Sequence, residues 1–191
     1  MDIYSLRSGW ATKYIWLELV GSLHENDDPC TMIKNNNITF KIMNGKQDAD
    51  CIGNDIAVDF YSDKFITILE ENEVDNFDKY LINIDDTRYE LKNKYYYIES
   101  KDGIPRIENE DIYTKPDIDD YCKRNNIKKD DILAICEGAP FYLYGDFSKW
   151  DGSNMFCPVD TSLILVTDKM KRILEKMKLK NIEYHIISKY E

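Results

Sequence analysis

Two histidines, His24 and His185, are all that the 191 residues contain, and this shortage narrows the chemistry more than any other. Zinc sites draw on clustered Cys and His. Here five cysteines (Cys30, Cys51, Cys122, Cys136 and Cys157) are scattered along the chain, and none forms a CxxC pair. The sequence has no HExxH helix, no GxSxG elbow and no Gly-rich phosphate loop. QDADCIGND (47–55) supplies acids and Gly53 but lacks the ligand spacing and closing Glu of a calcium loop. No apolar stretch approaches the ~20 residues of a membrane-spanning helix. The opening MDIYSLRSGW lacks a basic head followed by an apolar run, so it does not read as a signal peptide. The expectation is a cytoplasmic protein with reduced thiols and with no catalytic residues, structural metal or cofactor.

Acid is plentiful. The formal net charge is −11, which disfavours nucleic acid or an anionic membrane as a partner. The charge is uneven. Residues 168–191 carry seven basic and four acidic residues, +3, leaving 18 basic against 32 acidic residues over 1–167, or −14. Such an excess is either a solvated surface or a lure for a basic partner.

Hydrophobic residues make up 43% of the chain, enough for a sizeable core, and the 14 Tyr and 7 Phe favour strands. Strands are expected at 13–20, 38–43, 56–61, 95–100 and 141–147. Asn44-Gly45 and Asp102-Gly103 are turn pairs, and Pro29 marks an end to regular structure. PDIDDYCKRNN (116–126) reads as an acidic turn or helix, with Asp117 and Asp119 suited to a helix N-terminus.

An internal repeat is the strongest pattern. Residues 57–82 align with 162–187 without a gap, at a constant offset of 105. Seven positions are identical: Asp63/Asp168, Lys64/Lys169, Ile68/Ile173, Leu69/Leu174, Glu70/Glu175, Asn76/Asn181 and Ile82/Ile187. In each copy a β-rich run ends at Ser62 or Thr167, whose hydroxyl can cap a following helix. Met170, Ile173, Leu174 and Met177 form one apolar stripe. Asn72 stands in place of Met177, so the first helix is expected to be shorter, and Asn76 and Asn181 are the expected C-terminal caps. The predicted fold is α+β, a single domain over 1–191, with mostly antiparallel sheet and two equivalent strand–helix–strand units, 57–82 and 162–187.

The residues leave some chemistry open. His185 with Cys136 or Cys157 is a conceivable nucleophile pair, and Asp85-Asp86 or Asp130-Asp131 a conceivable acid–base pair. A small cytosolic enzyme built on these is one alternative, and an adaptor protein another.

SDKFITILEENEVDNFDKYLINIDD resembles the first half of a group of bacterial immunity proteins, in which a serine-capped helix ending in Leu-Glu leads into a strand of the type Tyr-Leu-Leu-Asn-Ile. LILVTDKMKRILEKMKLKNIEYHII resembles the same group's closing pattern, and Tyr14-x-Trp16 is a partial echo of an aromatic pair near its start. The chain resembles the immunity-protein families numbered eleven and forty-three of polymorphic toxin systems. The likeness covers roughly 60–85 and 140–190. Asn181 departs from it, standing where relatives often have Gly. The resemblance implies a cytosolic, non-catalytic α+β protein that binds a cognate toxin and silences it by occlusion. A basic toxin cleft would suit the acidic region. The loop Tyr144–Asn154 is then the expected contact, through Tyr144, Asp146, Trp150 and Asp151, because a Trp in so polar a loop either tucks into the core or waits for a partner. Asp117, Asp119 and Asp120 are the expected steering charges.

Overall fold

Each copy of the repeat begins where a hydroxyl residue stops a strand and caps a helix. Phe65 N–H donates to Ser62 Oγ (3.2 Å), and Met170 N–H donates to Thr167 Oγ1 (3.3 Å). The same hydroxyls donate outward, Ser62 to Asp50 Oδ1 (3.0 Å) and Thr167 to Asn154 Oδ1 (3.1 Å). One side chain thereby satisfies an orphan helix N–H and ties the helix start to a neighbouring strand. These details come from a computed structural model, which describes residues 1–86, 89–101, 103–107, 114–136, 143–159 and 161–189.

In chain order the described residues form β1 (Ile3–Ser8), β2 (Trp16–Leu19), α1 (Pro29–Lys34), β3 (Thr39–Asn44), β4 (Cys51–Ile52), β5 (Phe60–Ser62), α2 (Asp63–Glu71), β6 (Phe77–Leu81), β7 (Asn83–Ile84) and β8 (Tyr95–Ser100). There follow β9 (Gly103–Ile104), β10 (Arg106–Ile107), α3 (Ile118–Asn125), β11 (Ile132–Cys136), β12 (Leu143–Asp146), β13 (Met155–Pro158), β14 (Ile164–Thr167), α4 (Asp168–Lys176) and β15 (Ile182–Lys189). They make a four-stranded sheet β4-β5-β8-β6, an eight-stranded sheet β10-β12-β11-β15-β1-β14-β13-β9, and a three-stranded sheet β2-β3-β7. Most pairings are antiparallel, and the fold is α+β.

The repeat is larger than its sequence signal. In the first copy β8 lies between β5 and β6; in the second, β1 lies between β14 and β15. The registers correspond: Tyr61 faces Tyr96 as Val166 faces Tyr4, and Phe77 faces Ser100 as Ile182 faces Ser8. β4 and β13 correspond in the same way, Cys51 opposite Tyr61 and Met155 opposite Val166. Each copy is therefore a four-stranded split β-α-β sheet. Its central strand follows the unit in the first copy and opens the chain in the second.

The two copies share one core. Phe65, Ile68 and Leu69 of α2 and Met170 and Leu174 of α4 are buried in a cluster with Leu6, Ile98, Val74 and Val166. Contacts across the junction are reciprocal. Asn76 Nδ2 donates to Met155 O (2.7 Å), and its counterpart Asn181 donates to Cys51 O (2.9 Å). Such exchange is the pattern of a two-fold interface.

Several local expectations are corrected. Both repeat helices span nine residues, because Asn72 does not cut the first one short; its side chain donates to Ile68 O (2.8 Å) and finishes the last turn. The left-handed residues that follow are Glu73 (φ 59°) and Lys178 (φ 51°), not Asn76, although Asn181 (φ 61°) adopts that region too. Pro29 opens α1, at a first-turn position where its missing N–H costs nothing, and Asp28 caps that helix. The 56–61 strand starts only at Phe60, since Asn54 Oδ1 accepts from Ile56 and Val58 N–H and holds a turn there. Gly45 (φ 81°) makes no hairpin; it carries the chain past Tyr14, where a Cβ would lie 1.9 Å from a carbonyl oxygen. Asp102 of the second turn pair, and Phe141 and Tyr142 of the 141–147 strand, lie outside the described residues.

Candidate functional site

The loop expected to meet a partner is built inward. Tyr144, on β12, is 0% exposed and packs with Ile107, Ile118, Cys122 and Ile132. Asp146 is 1% exposed and accepts from Ser148 N–H (3.0 Å), Ser148 Oγ (2.6 Å) and Tyr121 Oη (3.2 Å). Neither is available as a surface contact in this fold. Trp150 stacks on Phe147 at 4.7 Å and 17° and lies against Phe156 at 5.8 Å. Its Nε1–H donates to Ser153 O (3.2 Å), so this Trp is tucked against the core. Asp151 is exposed and accepts from Ser153 N–H (2.9 Å).

The acidic turn is a helix start. Asp117 caps α3 by accepting from Asp120 N–H (2.9 Å), and two exposed carboxylates follow in the first turn. Asp120 pairs with Arg124 Nε (2.7 Å) and Asp119 with Lys129 Nζ. All three side chains are solvent-exposed, as a steering role requires, but two are already partly neutralised.

Of the conceivable catalytic groups, Cys157 is buried on β13 with its thiol 3.9 Å from Ser100 O. Burial pushes the Cys51 thiol well above its ordinary value, and burial raises Cys30 and Cys122 as well, opposite to what an attacking thiolate needs. His185 is exposed on β15 with Nε2 3.4 Å from Glu183. Asp86 Oδ2 accepts from Ile42 N–H (3.1 Å) and fastens a strand. Among the described residues no group of three His, Cys, Asp or Glu side chains is arranged to hold a metal ion. Among them too, no helix is long and apolar enough to cross a membrane.

The conspicuous surface lies elsewhere. Trp10 is 80% exposed and stacks on Trp16 at 5.0 Å and 28°. The pair is held from both sides. Gly9 N–H donates to Asn181 O (3.0 Å) at one end of the segment linking β1 to β2, and Tyr14 N–H donates to Ala11 O (3.0 Å) at the other. Trp16 fits because residue 53 is Gly: a Cβ there would come within 2.5 Å of the indole ring. Met43, 58% exposed, stands on the adjacent strand β3, one residue before Asn44, the register partner of Trp16. Trp10 carries no periodic or motif signal, which is why sequence reasoning passed over it. The one available cue was a large aromatic between Gly9 and Ala11, in a stretch with no strand pattern of its own.

No protein-family model matches the chain, and no curated protein matches it in sequence.

Proposed function

We propose that this chain is a non-catalytic protein-binding module of the immunity type, which silences a cognate toxin by covering its working surface. The observation that carries the reading is the Trp10–Trp16 stack. Hot spots of protein interfaces are enriched in Trp and Tyr, and they bind best where the aromatic is held in place before the partner arrives. Trp10 meets both conditions, being 80% exposed and anchored by its stacked neighbour and the Gly9–Asn181 hydrogen bond. The repeat's resemblance to immunity proteins supplies the class of partner. The −14 balance over residues 1–167 favours a toxin with a basic cleft, approached faster at low salt.

Co-expression tests the proposal. The gene should neighbour a large toxin gene, and the chain should restore growth to cells making that toxin's terminal domain. Growth arrest that persists despite folded, abundant chain would reject the immunity reading.

A further inference from the structure

We propose that the groove between the two repeats is a binding site for a small amphipathic anion, an anionic head on an apolar body. The groove is open to solvent and has a volume of about 1070 Å³, just above the usual range of about 300–1,000 Å³ for small-ligand sites. It lies on the sheet face opposite α2 and α4, because its floor residues Arg7 and Glu99 alternate with Leu6 and Ile98, which point into the shared helix-side core. Arg7 of β1 and Glu99 of β8 hold equivalent places on the two central strands.

Among the described residues of the lining are the cations Arg7, Lys34, Lys101 and Arg106 and the carboxylates Asp28 and Glu99. Both carboxylates are occupied. Glu99 pairs with Lys34 (2.9 Å). Asp28 accepts from Thr31 Oγ1 (2.5 Å), Thr31 N–H (3.0 Å) and Cys30 N–H (3.3 Å), and the Thr31 hydroxyl leads in holding its carboxyl below the ordinary value. Arg7 is less tightly matched: it makes no ion pair with a described carboxylate, and acts on Asp59 only as a more distant charge that lowers that carboxyl. Its cross-strand neighbour Glu183 turns to His185 instead. Among the described residues Lys101 pairs with Asp78 (2.9 Å), with both side chains about half exposed, a pair that solvent and competing anions weaken readily.

The rest of the described lining is mixed: Thr31, Ser100, Thr114, Thr161 and Ser162 are polar, and more than half of it is apolar. Ile56, Val58, Tyr97 and Leu163 contribute to the walls, so a bare inorganic anion would leave most of the groove unfilled. A guanidinium facing such walls suits a phosphate or carboxylate head joined to a hydrocarbon or aromatic body.

Calorimetric titration of the full chain with octyl phosphate tests the site, with inorganic phosphate and octyltrimethylammonium as comparisons. Octyl phosphate should bind, and both comparisons should bind at least about tenfold more weakly. Arg7→Gln should weaken octyl phosphate by about tenfold, and Lys101→Gln, on an exposed side chain, should act in the same direction. Trp10→Ala should leave this affinity unchanged, which separates the groove from the protein-binding face. Equal binding of the cationic analogue, equal binding of inorganic phosphate, or unchanged affinity in folded Arg7→Gln and Lys101→Gln would each overturn the proposal.

Discussion

Asp59 and Trp150 are two residues whose surroundings reverse what their type suggests. Asp59 accepts from Ser8 N–H (3.2 Å), yet burial outweighs that bond and raises its carboxyl above the ordinary 3.8. A carboxyl raised by folding binds its proton more tightly in the native state, so stability falls as pH climbs through the window between 3.8 and the raised folded value. Asp59→Asn keeps the acceptor and removes the charge. It should melt higher than the parent at about pH 7, and the difference should vanish near pH 3, below both values. A lower melting temperature at neutral pH would mean that the ionised form stabilises the fold. From the sequence Trp150 either tucks into the core or waits for a partner, since its neighbours Lys149, Asp151 and Gly152 are those of a solvated loop. Its fate was set by Phe147 and Phe156, one of them nine positions from the other, and nothing in the local sequence announces that stack. Trp150→Ala should cost about 2–3 kcal/mol of stability in denaturant unfolding, less than a fully buried Trp because the side chain is only partly buried. Unchanged stability would return Trp150 to the surface candidates.

The starts of the two repeat helices were the most legible features, because N-terminal capping is local chemistry. Ser62-Asp63 and Thr167-Asp168 mark the helix starts through hydrogen bonds spanning only three residues. The central strands were less legible. β8 showed itself through consecutive tyrosines, but β1 has only IYSLRS, whose equivalence with YYYIES rests on Tyr4/Tyr96 and Ser8/Ser100 and becomes visible through shared register. β4 and β13, of two and four residues, are defined by partners distant in sequence. The same long-range logic makes Asn76 and Asn181 testable as a pair. Each donates across the junction to the equivalent carbonyl of the other copy. Asn76→Ala and Asn181→Gly, the latter chosen because φ at 181 is 61°, should each cost about 1 kcal/mol, and the double variant roughly their sum. A loss confined to one of the two would show that the junction is not energetically symmetric.

At the scale of the whole molecule, two sheets of matching register lean on a shared helical core, and the remaining strands and helices extend each copy differently. The three-stranded sheet with α1 covers the first copy. β10 to β12 and α3 build out the second. Those additions account for the misplaced part of the candidate site: composition singled out Tyr144 and Asp146, but the additions bury both. Trp10 became exposed because it lies in the segment passing from one copy's sheet to the other copy's covering layer. Partner recognition is therefore proposed at Trp10, which the sequence reading passes over, and structural support at Trp150, which that reading names as a contact candidate. The affinity of the chain for the terminal domain of a toxin encoded beside it, the partner that the proposal requires, tests this directly when measured by calorimetry for the parent and for Trp10→Ala with melting temperatures recorded alongside. The account predicts a loss of about 2 kcal/mol or more in binding with the melting temperature unchanged; an unaltered affinity in a folded Trp10→Ala protein would contradict it.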